Sequence, residues 1–147
     1  MRSIVEDVAR YWAEAGFEPR PGISAAALRE FERRHGVVLP SDFVALYRAT
    51  DGIVGDANLF ALWPLAEVRP IPHECPSLAG TVPSAAEFFV FADSMIHSHV
   101  FAVRLTPGAP EAGPVLWLCD PHVGEAAETF TAFWERYLRD PREAVMV

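Results

Sequence analysis

The chain predicts an α+β fold: a single domain with a central twisted, mainly antiparallel sheet between N-terminal and C-terminal helices. Three observations predict it. Apolar residues recur at helical spacing as far as Asp51-Gly52. From Leu59 the period shortens towards two, and helical spacing returns at Phe130–Leu138. At 147 residues, 51% hydrophobic and 22% charged, the chain has the size and composition of one globular domain, 1–147. It can bury roughly two-thirds of its unfolded surface without a disulfide or metal.

The elements follow in order. In segment 2–15, Ile4, Val5, Val8, Tyr11, Trp12 and Ala15 share a helical face, and Gly16 sits where a helix stops. Pro19, Arg20, Pro21 and Gly22 make a rigid connector. Ser24 caps a second helix that carries Leu28, Phe31 and His35 on one face and ends at Gly36. Val37-Val38-Leu39 is extended ahead of Pro40. A third helix is expected to take Ser41 as its N-cap, with Asp42 in its first turn, and to bury Phe43, Leu46 and Tyr47. Asp51-Gly52 closes it and opens the loop from Ile53 to Asn58.

Leu59–Leu65 reads as a strand, and the Pro-rich residues 66–86 read as a long excursion with at most one short helix. Phe88–Ala92 is apolar on both faces, as in a central strand, and Asp93-Ser94 is expected to turn it. His97–Leu105 alternates clearly: His97, His99, Phe101, Val103 and Leu105 on one face, Ser98, Val100, Ala102 and Arg104 on the other. Val115–Cys119 returns as its antiparallel hairpin partner. Thr129 caps the last helix, whose stripe is Phe130, Phe133, Trp134, Tyr137 and Leu138, and Pro141 stops it. Trp63, Trp117 and Trp134 are expected in the core.

Charge narrows the function classes. The net charge is -8 and every basic residue is Arg. Nucleic-acid backbones and anionic membranes need clustered cations, so neither is an expected partner. A partner steered by charge would be basic, although net charge also serves solubility. Residues 1–16 lack the apolar core of a signal peptide, and no apolar run reaches transmembrane length. The expected compartment is the cytoplasm, with Cys75 and Cys119 reduced.

No nucleotide loop, zinc spacing or nucleophile elbow is visible. His97 and His99 share a strand face, as metal ligands often do, with Asp93 and His122 as further candidates. The same face runs on into Phe101, Val103 and Leu105, so the reading preferred is a strand that starts exposed with two ordinary histidines and becomes buried. Cys75 with His73, and Cys119 with Asp120 and His122, have short spacings but no recognisable signature. Glu125 and Glu128 are expected near the N-terminus of the last helix rather than as an acid–base pair. These readings give no catalytic residue, no metal site and no cofactor. The candidate partner-binding residues are Asp51, Asp56 and Asn58 in the polar loop, with His97 and His99 at the strand start. A solvated turn is the alternative for that loop.

At Phe31-Glu32, Gly36, Leu39-Pro40-Ser41-Asp42-Phe43, Tyr47 and Asp51-Gly52 the chain resembles the SUKH superfamily, and more narrowly its Smi/Knr cell-wall-assembly-regulator-like branch. LFALWPLAEV, FFVFAD and the Phe130–Leu138 helix extend the likeness over about residues 23–139. Two features depart from the pattern: Ile53 stands where a second Gly is common, and 66–86 is idiosyncratic. The resemblance implies a non-enzymatic protein-binding module. In the bacterial branch it implies an immunity protein that neutralises a cognate polymorphic toxin, for which a nuclease with a basic cleft would suit the net charge. A regulatory or scaffold domain without a toxin, and a metal-dependent hydrolase centred on His97, His99 and Asp93, are the alternatives. A monomer or weak homodimer is expected.

Overall fold

A computed structural model describes residues 3–57, 59–107, 109 and 111–145. Three helices come first: α1 (Ile4–Ala15), α2 (Ala25–His35) and α3 (Ser41–Ala49). Short strands β1 (Ala61–Leu62) and β2 (Arg69–Pro70) and the one-turn helix α4 (Ile71–Glu74) follow. The main strands are β3 (Phe88–Ser94), β4 (His99–Arg104), β5 (Val115–Cys119) and β6 (His122–Ala127), and α5 (Phe130–Arg139) and α6 (Pro141–Val145) close the described chain. The sheet is antiparallel in the order β1-β3-β4-β5-β6, and β2 also pairs with β3. The α+β class and its flanking helices are therefore as the sequence predicts.

Capping chemistry sets the helix ends. Ser3 and Ser24 accept from the backbone N–H of Glu6 and Ala27, and Gly16 and Gly36 end their helices at φ of 81° and 65°. Thr129 accepts from Ala132 at the start of α5. The third helix differs from expectation. Pro40 holds the cap position and Ser41 is already helical, so no side-chain cap bond forms. Asp42 instead accepts from Phe43 N–H and, across 70 residues of chain, from Ala112 N–H, with Thr131 Oγ on its other oxygen. Burial raises its carboxyl above the usual range.

All seven residues of β3 are buried. On one side Phe89, Phe91 and Ala92 join Phe101, Val103 and Val115 beneath α1, α3 and α5. On the other, Phe88 and Val90 join Val100, Ala102 and Leu118. That second face is covered by Trp63, Ile71, Leu78, Val82 and Ala85, which come from the stretch between β1 and β3. The stretch read as a loose excursion is thus an ordered cap. It contains β2, α4 and short 3-10 turns at Leu65–Glu67, Pro76–Leu78 and Ala85–Glu87. Its prolines suit one-turn pieces because they disrupt longer regular elements. A bulge between Val90 and Ala92 lets Phe91 and Ala92 face the same core.

Other boundaries differ locally. Leu59–Leu65 contributes only Ala61–Leu62 to the sheet, because Pro64 starts a 3-10 turn. Asp93-Ser94 continues β3 rather than turning it, and the turn is Met95–Ser98. A strand that the sequence reading did not include, β6, precedes the last helix, so Glu125, expected near the helix N-terminus, is on the edge strand, paired opposite Leu116. Pro141 starts α6 after Asp140 caps α5. Trp117 is only half-buried, whereas Trp63 and Trp134 are core residues.

Gly52 is demanded twice over. Its φ is 106°, and a Cβ there would sit 2.3 Å from the Leu62 carbonyl oxygen. Gly16 has φ 81° but open space around it. Gly16→Ala is therefore expected to cost about 1–2 kcal/mol. Gly52→Ala carries a similar backbone cost of about 1–3 kcal/mol and must also move β1. Urea unfolding of the two variants checks the ranking; equal losses would refute the role of the Leu62 contact.

The His35 ring lies 4.4 Å from Phe31 and 5.2 Å from Phe89. Burial first, then Arg34 and His73, hold its pKa below the ordinary value. In that window the unfolded chain binds more protons, so stability rises with pH and is fully present above the unfolded pKa of about 6.5. It is lost as pH falls through the folded value. His35→Phe is expected to flatten this slope, as read from urea midpoints between about pH 5 and pH 8.

Candidate functional site

The loop after Gly52 and the turn after β3 lie side by side at one end of the sheet. Among the described residues, the exposed large hydrophobic side chains are Val38, Val54, Leu59, Met95 and Ile96. Four of these five lie on that loop and turn. Val54 is 82% exposed and Ile96 80%. Val54, Leu59 and Ile96 line one cavity of about 220 Å³ together with Asp93 and His97. A second cavity of about 180 Å³ shares Val54, Asp93 and His97 and is bounded by Arg20, Trp63 and Glu67. A third, of about 130 Å³, runs on over Trp63, Glu67, Arg69, Glu74 and His97. Their shared residues make one groove.

The turn holds an unusual backbone. Met95, Ile96 and His97 have φ of 54°, 55° and 65° in succession. For L-residues this region costs roughly 1–2 kcal/mol each, and a β-branched Ile is among the least suited. Asp93 holds the turn in place. It is 6% exposed, and its Oδ2 accepts from Trp63 Nε1 at 2.6 Å while its Oδ1 accepts from the His97 backbone N–H at 3.3 Å. The His97 ring leans on Trp63, with centroids 5.6 Å apart and planes tilted by 36°, and stays largely exposed.

The loop is held from the opposite side. Asp56 is 7% exposed; its Oδ1 accepts from Phe60 N–H at 3.1 Å, and its Oδ2 accepts from the Tyr137 hydroxyl. Tyr137 in turn accepts from Trp12 Nε1 at 2.8 Å. Burial, then the Asp56 bond, raises the Tyr137 phenol well above its usual pKa, so it stays a donor. Two buried carboxylates therefore brace the two segments that carry the exposed aliphatics.

The five residues singled out from sequence fare differently. Asp51 is half-buried and accepts from Leu65 N–H at 2.8 Å, which starts the 3-10 turn beside the groove. Asp56 points inward as a strut. Asn58 lies outside the described residues. His97 is on the groove, but in the turn rather than on β4, so the alternation with His99 does not reach it. His99 is half-buried with its ring 6.1 Å from Trp117. The two histidines thus pack on different tryptophans. Among the described residues no group of three or more His, Cys, Asp or Glu is placed to hold a metal ion. Cys75 and Cys119 are free thiols, and burial pushes the Cys75 thiol up. No helix among the described residues is long and apolar enough to cross a membrane.

Sequence reasoning missed Val54, Leu59, Met95 and Ile96. Their signal was weak: single aliphatics inside polar loops look like buried anchors. It also left Glu32 without a role beyond the motif. Its Oε2 accepts from Leu39 N–H at 2.7 Å, spanning the Gly36 turn and setting the entry into α3.

Tyr137→Phe leaves the Trp12 indole without its acceptor and removes one bond to Asp56. The expected loss is about 1–3 kcal/mol, with faster amide exchange at 53–57 and 59–60 than in β4. Hydrogen exchange followed by mass spectrometry checks this; uniform acceleration across the domain would refute a local brace.

No curated protein matches the chain. The sequence model of the SMI1 / KNR4 family (SUKH-1) matches residues 22–136, which include α2, α3, the whole sheet and most of α5. With most of its length matched, the chain belongs to the SMI1 / KNR4 family (SUKH-1).

Proposed function

We propose that this SUKH domain is a non-enzymatic protein-binding module, and specifically an immunity protein that neutralises a cognate toxin by occluding its working face. The observation that carries the reading is the placement of four exposed aliphatic side chains on two braced segments at one end of the sheet. Exposed apolar groups on a rigid frame lose little entropy on docking and supply the desolvated centre of an interface. Membership of a family whose domains commonly act as immunity or interaction modules supports the same reading. The net charge of -8 suits a basic partner, such as a nuclease domain, through faster and more specific encounter. His97 is the sequence-predicted contact residue that lies on this groove.

Co-expression with toxin domains encoded beside the gene tests the proposal. The expected result is rescue of growth and a co-purifying complex. Absence of both across those toxins refutes the immunity function.

A further inference from the structure

The groove is chemically two-sided. Its far end is aliphatic, formed by Val54, Leu59 and Ile96, and encloses about 220 Å³. That is well above the roughly 10–15 Å³ that one water needs, and leaves room for a side chain. Its near end is aromatic and acidic. Trp63 and His97 are in tilted ring contact there, with the His97 side chain 61% exposed. The neighbouring charged groups are already assigned, with two exceptions, Arg20 and Glu67. Arg69 is paired with Glu74 at 3.2 Å. Both oxygens of Asp93 accept bonds from Trp63 and His97. The Arg20 Nη1 is buried without a partner atom. The Glu67 side chain is exposed and makes no ion pair with any described residue.

We infer that the groove takes a segment of a partner protein in which an aliphatic or aromatic side chain stands next to an arginine. This inference rests on the protein-binding reading above. The apolar side chain enters between Val54 and Ile96. The guanidinium lies on the open face of His97 and pairs with Glu67. A planar cation suits both contacts, because it stacks on a ring face while its edge donates to a carboxylate. The net charge of -8 favours approach of such a segment. The left-handed run at Met95–His97 keeps Ile96 and His97 side by side on the rim.

The test titrates the full chain with N-acetyl-Leu-Arg-amide, N-acetyl-Leu-Gln-amide and N-acetyl-Leu-Glu-amide. It follows the Trp63 indole and the amides of Val54, Ile96 and His97 by NMR. Saturating shifts confined to these groups are expected, with Leu-Arg binding about two- to fivefold tighter than Leu-Gln, the range of an exposed ion pair. Glu67→Gln should abolish that preference. Ile96→Asn should weaken all three peptides without unfolding the turn, since Asn tolerates positive φ. Thermal melting confirms that both variants are folded.

Equal or tighter binding of Leu-Glu would overturn the inference and assign recognition to Arg20. Shifts elsewhere, or none, would overturn it outright. A concentration-dependent dimer in sedimentation that Ile96→Asn dissolves would make a second copy the occupant, which also overturns it. A toxin neutralised equally well by both variants would overturn the groove while leaving the immunity function standing. Where no neighbouring toxin is neutralised, the immunity function fails and the peptide titration still decides the groove.

Discussion

Burial of β3 on both faces is the constraint on which the rest depends. A strand with seven buried residues needs two covers, and this chain builds them from unrelated material. Helices α1, α3 and α5 supply one, and the broken stretch between β1 and β3 supplies the other. The bulge at Phe91 weights the strand towards the helical side, where Phe60, Phe101, Phe130 and Phe133 fill the space. With both faces of β3 consumed, that strand offers contact surface only where it ends, beside the Met95–Ser98 turn.

The polar groups then invert the usual division of labour. Glu32, Asp42, Asp51, Asp56 and Asp93 all accept hydrogen bonds from backbone or buried side-chain donors. All but Glu32, which spans a local turn, join segments distant in sequence, and in return their desolvation is offset by two or more donors at Asp42, Asp56 and Asp93. Some of the acidity is therefore architectural. The aliphatics Val54 and Ile96, which composition alone would place inside, are the groups left in water.

This inversion explains what was legible beforehand. Helix faces and most caps were readable because Ser24, Gly16, Gly36 and Thr129 act locally, within a turn or so of their positions. The main strands β3 and β4 were readable from their apolar runs. Non-local partnerships were not. Asp42 looked like a dipole residue and is a tie to Ala112 and Thr131. Asp56 looked like surface and is a strut. β6 escaped because HVGEAA has no apolar alternation. It is an edge strand whose Gly124 gives room to Trp117, with a Cβ there falling 2.5 Å from the indole. The groove was half legible: the loop after Gly52 and His97 were in view, but the side chains that define it were not.

The brace on Asp56 has a distinctive provenance. Trp12 lies ahead of the region that the family shares and Tyr137 just past it, while Asp56 lies within it. The loop is thus held from both sources: by Phe60 N–H inside the matched region and by Tyr137 and Trp12 at its flanks. Such an arrangement separates the loop's own sequence from the flanking groups that stiffen it. The Ile53–Phe60 loop can change in sequence while α1, through Trp12 and Tyr137, still bears on how rigidly it is held.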